Sequence, residues 1–267
     1  VRGINLLTTI DVNAPPLFAV GPGTTRTAAQ ANTQRPLGVP NTTGGQFGVP
    51  FTGFRSIYLQ GNGGSTRYDA VRFSLAKRFS HRYQWQVNYS YGKSLGDAEQ
   101  FRLASSFVPG LTDPDGDRSY QDSRLSTDTP HVFVTSGVYE APYGVRIGGV
   151  LFARSGFPFT GGVGSDADGD GFSSTGSFGD RPAGTMRNSY RLPTFVQLDL
   201  SLAYTIKGLK RHSVEVRLDV FNLQNRKNIT GLNNVIGLDK ASPLAAFRTT
   251  TGMGRQREAQ VGLRWSF

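Results

Sequence analysis

Cysteine is absent from this chain of 267 residues. A disulfide framework and a thiolate zinc site are therefore excluded. Long apolar runs are absent too, because no segment approaches the roughly 18 consecutive apolar residues that a transmembrane helix needs. A helical membrane protein is thus excluded. A membrane β-barrel is not, since its strands alternate between apolar and polar residues and keep the mean hydropathy low.

Clustered positive charge is also missing, although the net charge is +10. A nucleic-acid-binding domain usually collects Lys and Arg on one face or in a recognisable module. Here the arginines are scattered from Arg2 to Arg264, and the densest basic groups, near residues 77–82 and 207–211, lie between pairs of apolar runs. We interpret these groups as turns and predict no nucleic-acid partner.

The sequence does contain apolar residues at every second position, as where Val71, Phe73 and Leu75 alternate with polar or small neighbours. This period is typical of β-strands with two different faces. Eight strands are predicted, near residues 2–12, 66–79, 83–91, 131–140, 146–158, 196–204, 214–220 and 259–267.

The connections between these strands alternate in length. Short ones fall near residues 79–83, 140–145 and 207–212, whereas the long ones span about 13–65, 94–130, 160–193 and 226–256 and are rich in Gly, Asn, Thr, Asp and Pro. That composition predicts loops without helices. Compact soluble domains rarely carry several such loops, whereas outer-membrane barrels have short periplasmic turns and long extracellular loops. We predict an all-β, antiparallel, up-and-down transmembrane β-barrel with these four loops outside the cell.

Tyr and Trp collect near strand ends, where their rings suit the headgroup zone of a membrane. We predict interface positions for Tyr83, Trp85, Tyr89, Tyr91 and Tyr204. In the alternative, these rings fill the core of a soluble sandwich, which leaves the long loops unexplained.

The polar residues between the apolar ones form the opposite face of the strands. They would line an aqueous lumen or pair with one another there, as Asp199 could with Arg217. The residues predicted to face the lumen are Arg72, Asp199, Glu215, Arg217, Asp219 and Arg264.

The chain ends in an amphipathic strand that closes on an aromatic residue. This end resembles the insertion signal of outer-membrane barrels, and the matching positions are Val261, Leu263, Trp265 and Phe267.

Six runs extend the resemblance over most of residues 66–267: 68–79 (YDAVRFSLAKRF), 89–94 (YSYGKS), 136–144 (SGVYEAPYG), 154–159 (RSGFPF), 180–182 (DRP) and 220–226 (VFNLQNR). With them, the chain resembles the C-terminal barrel portion of a TonB-dependent outer-membrane receptor of the Oar-like type, which carries a carboxypeptidase-regulatory-like domain. The resemblance implies a barrel of about 22 strands with an N-terminal plug that the TonB system energises.

On this reading, residues 1–267 are one barrel domain holding about the last eight strands, and the plug lies outside the sequence. The resemblance implies transport of a substrate across the bacterial outer membrane. The implied partners are outer-membrane lipid and lipopolysaccharide, the barrel-assembly machinery, and the plug and TonB system through the missing N-terminal part. Two alternatives stay open: a self-contained small barrel with a structural, adhesive or narrow-pore role, and a secreted, soluble, Ca²⁺-assisted binding module.

One acidic loop could hold Ca²⁺. Asp166, Asp168 and Asp170 alternate along a turn that has Gly171 at the sixth position, as in a Ca²⁺-binding loop, but Ser177 replaces the glutamate at the twelfth. No cofactor is otherwise required.

Catalytic residues are not indicated. The histidines His81, His131 and His212 belong to separate strand ends, so neither a triad nor a metal cluster is visible. We predict that the chain is not an enzyme.

Overall fold

The computed structural model describes residues 2–11, 18–34, 58–96, 123–167, 169, 180–209 and 212–266. Nearly all regular structure in these ranges is β-strand, and no helix there is long and apolar enough to cross a bilayer. The exceptions are the helix α1 (Ala28–Gln34) and a 3₁₀ turn (Pro142–Gly144). The strands are β1 (Arg2–Asp11), β2 (Tyr58–Ser80), β3 (Tyr83–Gly96), β4 (His131–Glu140), β5 (Val145–Arg154), β6 (Pro158–Phe159), β7 (Tyr190–Arg191), β8 (Phe195–Leu209), β9 (His212–Phe221), β10 (Ile229–Leu232), β11 (Thr250–Met253) and β12 (Glu258–Ser266).

Eight of the strands form one sheet in the order β1-β2-β3-β4-β5-β8-β9-β12. Every neighbouring pair is antiparallel. Each strand lies beside the next long strand along the chain, so the predicted up-and-down arrangement is confirmed. Within the described ranges, β1 pairs only with β2 and β12 only with β9, which leaves an edge at each side of the sheet.

The strand bounds differ from the prediction in the first half of the chain. β2 begins at Tyr58, so the first long connection ends well before residue 65. The added segment includes Gly61 and Gly64, which pair with Thr8 and Leu6 of β1. Because glycine has no side chain, this segment shows no alternation of apolar residues. The strand is extended there by backbone pairing, which the sequence pattern could not reveal. β5 conversely ends at Arg154, short of the predicted residue 158.

The register carries the apolar residues of successive strands onto one face of the sheet. Phe73 lies opposite Tyr89, which lies opposite Phe133 on the next strand. At the other side of the sheet, Leu202 lies opposite Leu218, and Leu218 lies opposite Val261. A shift of the pairing by one residue between two strands would turn the apolar side chains of one strand to the opposite face. The observed register has no such shift between these residues, so their side chains form one continuous apolar surface.

This apolar face has no protein layer over it within the described ranges. Phe73 and Leu75 are each 63% exposed and Leu263 is 75% exposed. Exposure to water of a large apolar side chain costs about 2 kcal/mol relative to burial, and here such side chains cover a whole sheet face. The soluble-sandwich alternative is therefore wrong, because a sandwich would bury this face under a second sheet.

The prediction that the long connections contain no helix is wrong for the first of them. Helix α1 begins after a capping box: the Thr27 backbone N–H donates to Gln30 Oε1 (2.8 Å), and the Gln30 N–H donates to Thr27 Oγ1 (3.3 Å). Threonine followed three residues later by glutamine is the sequence pattern of such a cap. The hairpins β6–β7 and β10–β11 likewise give structure to the later connections.

The packed cluster of buried hydrophobic residues lies in these connections, whereas the sheet contributes only isolated buried residues such as Leu95 and Ala203 among those described. Val20, Val163 and Ala167 pack together with Phe18 and Leu238. Backbone hydrogen bonds join the same segments, from Arg26 N to Ala167 O (2.7 Å) and from Ala183 N to Val20 O (2.9 Å). We call the described parts of these connections, residues 18–34, 123–130, 155–194 and 222–257 without the masked positions, the loop layer. It lies at the end of the sheet opposite the short turns.

Candidate functional site

The polar face of the sheet is concave and holds an open cavity of about 580 Å³. Small side chains occupy its centre, at Ser136, Gly148 and Ser201 of three neighbouring strands. Charged and amide side chains surround them, including Gln86 and Asp219. Small residues in the middle of a concave, polar surface leave room for water or a solute.

The acidic groups of this face have basic or amide partners. Arg217 donates to both carboxylate oxygens of Asp219 from Nε (2.9 and 2.8 Å), and Gln260 Nε2 donates to Asp219 from the next strand (3.1 Å). Arg146 Nη2 donates to Glu215 Oε2 (2.8 Å). Arg217 and Asp219 meet because residues two apart in a strand share a face.

The suggested pairing of Asp199 with Arg217 is wrong. The register places Arg217 opposite Ala203, and Asp199 lies four residues before Ala203 in β8. The Asp199 carboxylate accepts hydrogen bonds from Gln197 Nε2 (3.0 Å) and from the Asn222 backbone N–H (2.8 Å). Alternation along a strand shows which face a residue is on, but only the register shows which residues meet.

The other two residues predicted to face the lumen lie on this polar face as well. Arg72 lies opposite Ser90, and Arg264 lies opposite Glu215. The structure therefore brings all six residues to one surface, and their contact with a passing solute stays a prediction. Sequence reasoning missed Arg146, which completes the ion pair with Glu215. The only sequence signal for it is that Arg146 is a charged residue at the start of the predicted strand 146–158.

The aromatic residues predicted at the membrane interface all lie on the apolar face, in two groups. Tyr83 and Trp85 lie near the short turns, and Tyr204 lies at the same end. Tyr89 and Tyr91 lie toward the loop layer, where the Tyr89 hydroxyl is 2.8 Å from His131 Nδ1. Tyr83 and Tyr91 are eight residues apart in β3, which is about 27 Å along a strand. The two groups therefore lie at opposite ends of the apolar part of the strand, as the two aromatic girdles of a transmembrane barrel do.

The residues of the C-terminal signal continue the apolar face at the edge strand. Val261 and Leu263 are each 75% exposed and Trp265 is 64% exposed. Phe267 lies outside the described residues. Their role in insertion stays a prediction.

The acidic loop is only partly described. Asp166 lies within the described ranges, but Asp168 and Asp170 lie outside them. Next to Asp166, the Ala167 N–H donates to the Asp180 carboxylate. The described part of the chain contains no group of three or more His, Cys, Asp or Glu side chains arranged to hold a metal ion. The Ca²⁺ site stays a prediction.

Buried polar side chains that sequence reasoning missed hold the loop layer to the sheet. Asp128, whose side chain is 1% exposed, forms an ion pair with Arg191 (2.6 Å) and accepts from the Ser94 N–H at the end of β3 (2.7 Å). Arg191 also donates to Gly156 O (2.7 Å). One carboxylate and one guanidinium thus join two connections and the end of β3, which no local sequence pattern could indicate.

Two asparagines do the same between β8, β9 and β12. Asn222 has a φ of 49° and donates from Nδ2 to Arg226 O (3.0 Å) and Arg255 O (3.1 Å). Asn228 binds both the N–H and the carbonyl of Val196 (3.0 and 2.8 Å). Asparagine tolerates the left-handed conformation that such a turn needs. Run 220–226 therefore has a structural role at the strand ends.

Comparison with known proteins relates the chain to an outer-membrane family and to a solved outer-membrane transporter. The family model described as "Outer membrane beta barrel domain" matches residues 1–185. The crystal structure of the outer membrane transporter YddB from Escherichia coli superposes with a TM-score of 0.51 at 13% sequence identity, covering 99% of this chain and 29% of the transporter chain. At that identity the likeness is one of fold, and the chain spans 29% of the transporter's length. No curated protein sequence matches the chain.

Proposed function

Because the chain belongs to the outer membrane β-barrel domain family, we propose that it forms part of a TonB-dependent, Oar-like receptor that carries a substrate across the bacterial outer membrane. The family and the fold neighbour place the chain in that membrane. The proposal goes further, to energy-dependent transport by a larger receptor.

The observation that carries the proposal is the two-sided sheet. One face exposes apolar side chains such as Phe73 and Leu263 across its whole width. The other face has paired charges, such as Arg217 with Asp219, around an open cavity. Lipid outside and water inside is the arrangement of a transmembrane barrel that encloses a polar path.

The two edges of the sheet support a larger barrel. In a bilayer each unpaired backbone N–H or C=O costs several kcal/mol, so an edge cannot face lipid. A self-contained barrel would pair β1 with β12, a pairing not found among the described residues. We propose that further strands of the same receptor pair with both edges, in line with the 29% of the transporter chain that this fold covers.

The proposal includes the chain's partners and chemistry. Residues 1–267 act as one barrel domain in contact with outer-membrane lipid and lipopolysaccharide, inserted by the barrel-assembly machinery. A plug domain and the TonB system act through another part of the receptor. The chain performs no catalysis and requires no cofactor, and a Ca²⁺ ion in the acidic loop would only order that loop.

Binding of TonB tests the energy-dependent part of this proposal. The full-length receptor is purified from outer membranes in detergent and titrated with the purified periplasmic domain of TonB, with a porin from the same membranes as the control. We expect saturable binding to the receptor and none to the porin. Equal signals for the two would overturn TonB dependence while leaving the barrel fold intact.

A further inference from the structure

We propose that Arg154, whose guanidinium group contacts the rings of Phe157 and Phe195, binds an oxyanion, either a carboxylate or a phosphate, on the transported substrate. The inference rests on the proposed transport function and narrows its substrate to anionic molecules. It is carried by the position of Arg154, by the rings around it and by its unused hydrogen-bond donors.

Arg154 lies at the outer end of the polar face. It is the last residue of β5, opposite Val132 on one neighbouring strand and Phe195 on the other. The loop layer begins at the next residue. A solute that enters the concave face from the loop end would therefore meet this side chain before it reaches the cavity.

Aromatic rings hold the guanidinium group in place. Arg154 Cζ is 3.8 Å from the centroid of the Phe157 ring and 5.2 Å from that of the Phe195 ring. Phe152 packs against Phe195 with its ring at 66° and its centroid 5.9 Å away. Rings cover the flat faces of a guanidinium group by cation–π contact, so its N–H donors, which lie in its plane, point elsewhere.

Those donors have few protein acceptors. The hydrogen bond of the Arg154 side chain is from Nη1 to Ser155 O (3.2 Å), and no carboxylate among the described residues lies within ion-pair distance. Arg191, which approaches the same turn at Gly156, differs: it is paired with Asp128 at 2.6 Å. Of these two neighbouring arginines, Arg191 has a counter-ion among the described residues and Arg154 has none there.

The chemistry of the site follows from this geometry. A guanidinium group is planar and presents parallel N–H donors that match two oxygens of a carboxylate or phosphate. Because the rings already hold it in one orientation, little side-chain entropy is lost on binding. Phe157 is 40% exposed, so an apolar or aromatic part of the same ligand can pack beside the ion pair.

The test uses the full-length receptor in detergent. Benzoate and inorganic phosphate are titrated as probes for the two oxyanion classes, with neutral benzamide as the control for ring stacking alone. Phenylglyoxal modification of Arg154, read by mass spectrometry, reports occupancy of the wild-type site. The variants are Arg154→Gln and Arg154→Lys, and Arg255→Gln, at an 88% exposed arginine of the loop layer, is the matched control.

We expect an oxyanion to protect Arg154 from phenylglyoxal while benzamide does not. Arg154→Gln should bind benzoate or phosphate roughly tenfold more weakly or worse, because it loses a charge-assisted pair of hydrogen bonds. Arg154→Lys should retain part of the affinity, and Arg255→Gln should bind as the wild type does. Stronger protection by benzoate or by phosphate identifies the class of oxyanion.

Equal binding by the wild type and Arg154→Gln would overturn the proposal, as would equal protection by benzamide. Folding of each variant is checked by its heat-dependent mobility shift. If Arg154→Gln does not fold, protection of the wild-type residue decides the question without it. TonB binding is measured separately, so failure here is distinguishable from failure of the proposed function.

Discussion

At the residue scale, Gly156 is a position where two parts of the loop layer approach closely. A Cβ atom built there would lie 1.9 Å from Leu192 O and 2.6 Å from Pro193 O. The next residue continues the contact, since Phe157 O accepts a hydrogen bond from Leu192 N (2.9 Å). Glycine is therefore required in run 154–159 by backbone packing, which also places Phe157 against Arg154.

Gly156→Ala should destabilise the loop layer. Because both contacts are with backbone carbonyls, the chain must shift, and we expect a loss of about 3 kcal/mol in unfolding free energy. Urea unfolding of the full-length receptor in lipid bilayers measures it. The control is Gly148→Ala, where an added Cβ meets only ordinary contacts at 3.8 Å. Similar losses for both variants would contradict this account.

The sequence indicated the face of each site residue but not its partner. Alternation predicts that Arg217 and Asp219 face the lumen, and both lie on the polar face with a hydrogen bond between them. Asp128 lies in an irregular segment, and Arg191, 63 residues away in sequence, lies in the two-residue strand β7. Neither segment is long enough or regular enough for a periodicity to indicate these residues. Their pairing depends on how two connections pack against each other and against the end of β3.

At the element scale, each strand has one row of side chains that faces lipid and one row that faces water. In β3, Val87 lies between Leu75 and Thr135 on the apolar face, and it is midway between Tyr83 and Tyr91. Its neighbour Gln86 lines the cavity on the opposite face. Two adjacent residues of one strand therefore lie on opposite faces of the sheet, one at the middle of the bilayer and the other in contact with water.

Val87→Arg should destabilise the barrel by about 2–4 kcal/mol, which is the cost of an arginine at the bilayer midplane. Gln86→Arg places the same side chain on the wet face and should change stability by less than about 1 kcal/mol. Unfolding by urea in lipid bilayers compares the two. The assignment of faces would be wrong if Gln86→Arg proved the more destabilising.

The short elements of the connections were harder to predict than the strands. Helix α1 has seven residues and β6 and β7 have two each. Elements so short bury too few residues to show a period. The capping box at Thr27 and Gln30 is a sequence signal for α1, but the surrounding composition, rich in Gly and Pro, favours a loop.

At the scale of the whole molecule, the distribution of apolar residues is the reverse of that in a soluble protein. The packed core is small and lies in the loop layer, around Val20 and Val163. The largest apolar surface faces outward from the sheet. Lipid covers the apolar face of this sheet, as a second layer of secondary structure covers the apolar face of a sheet in a soluble domain.

Single cysteines can test this arrangement, because the sequence contains none of its own. Ser201→Cys lies on the polar face and Leu202→Cys on the apolar one, where Leu202 is 47% exposed. In outer membranes a water-soluble maleimide should label the first at least roughly tenfold faster, since the thiolate that reacts forms only in contact with water. Because Leu202 is not covered by protein, its protection reports lipid. Equal labelling rates would place both faces in water.

The sequence by itself determined the strands, their two faces and the alternation of short and long connections. These properties are local, because a period of two and the chemistry of turn residues need only neighbouring positions. The tertiary structure decided the register, the partners of Asp199, Asp219 and Arg154, and the packing of the loop layer. These features depend on hydrogen bonds and contacts between segments that are distant in sequence. A short stretch of sequence does not show which of the possible contacts has the lowest free energy.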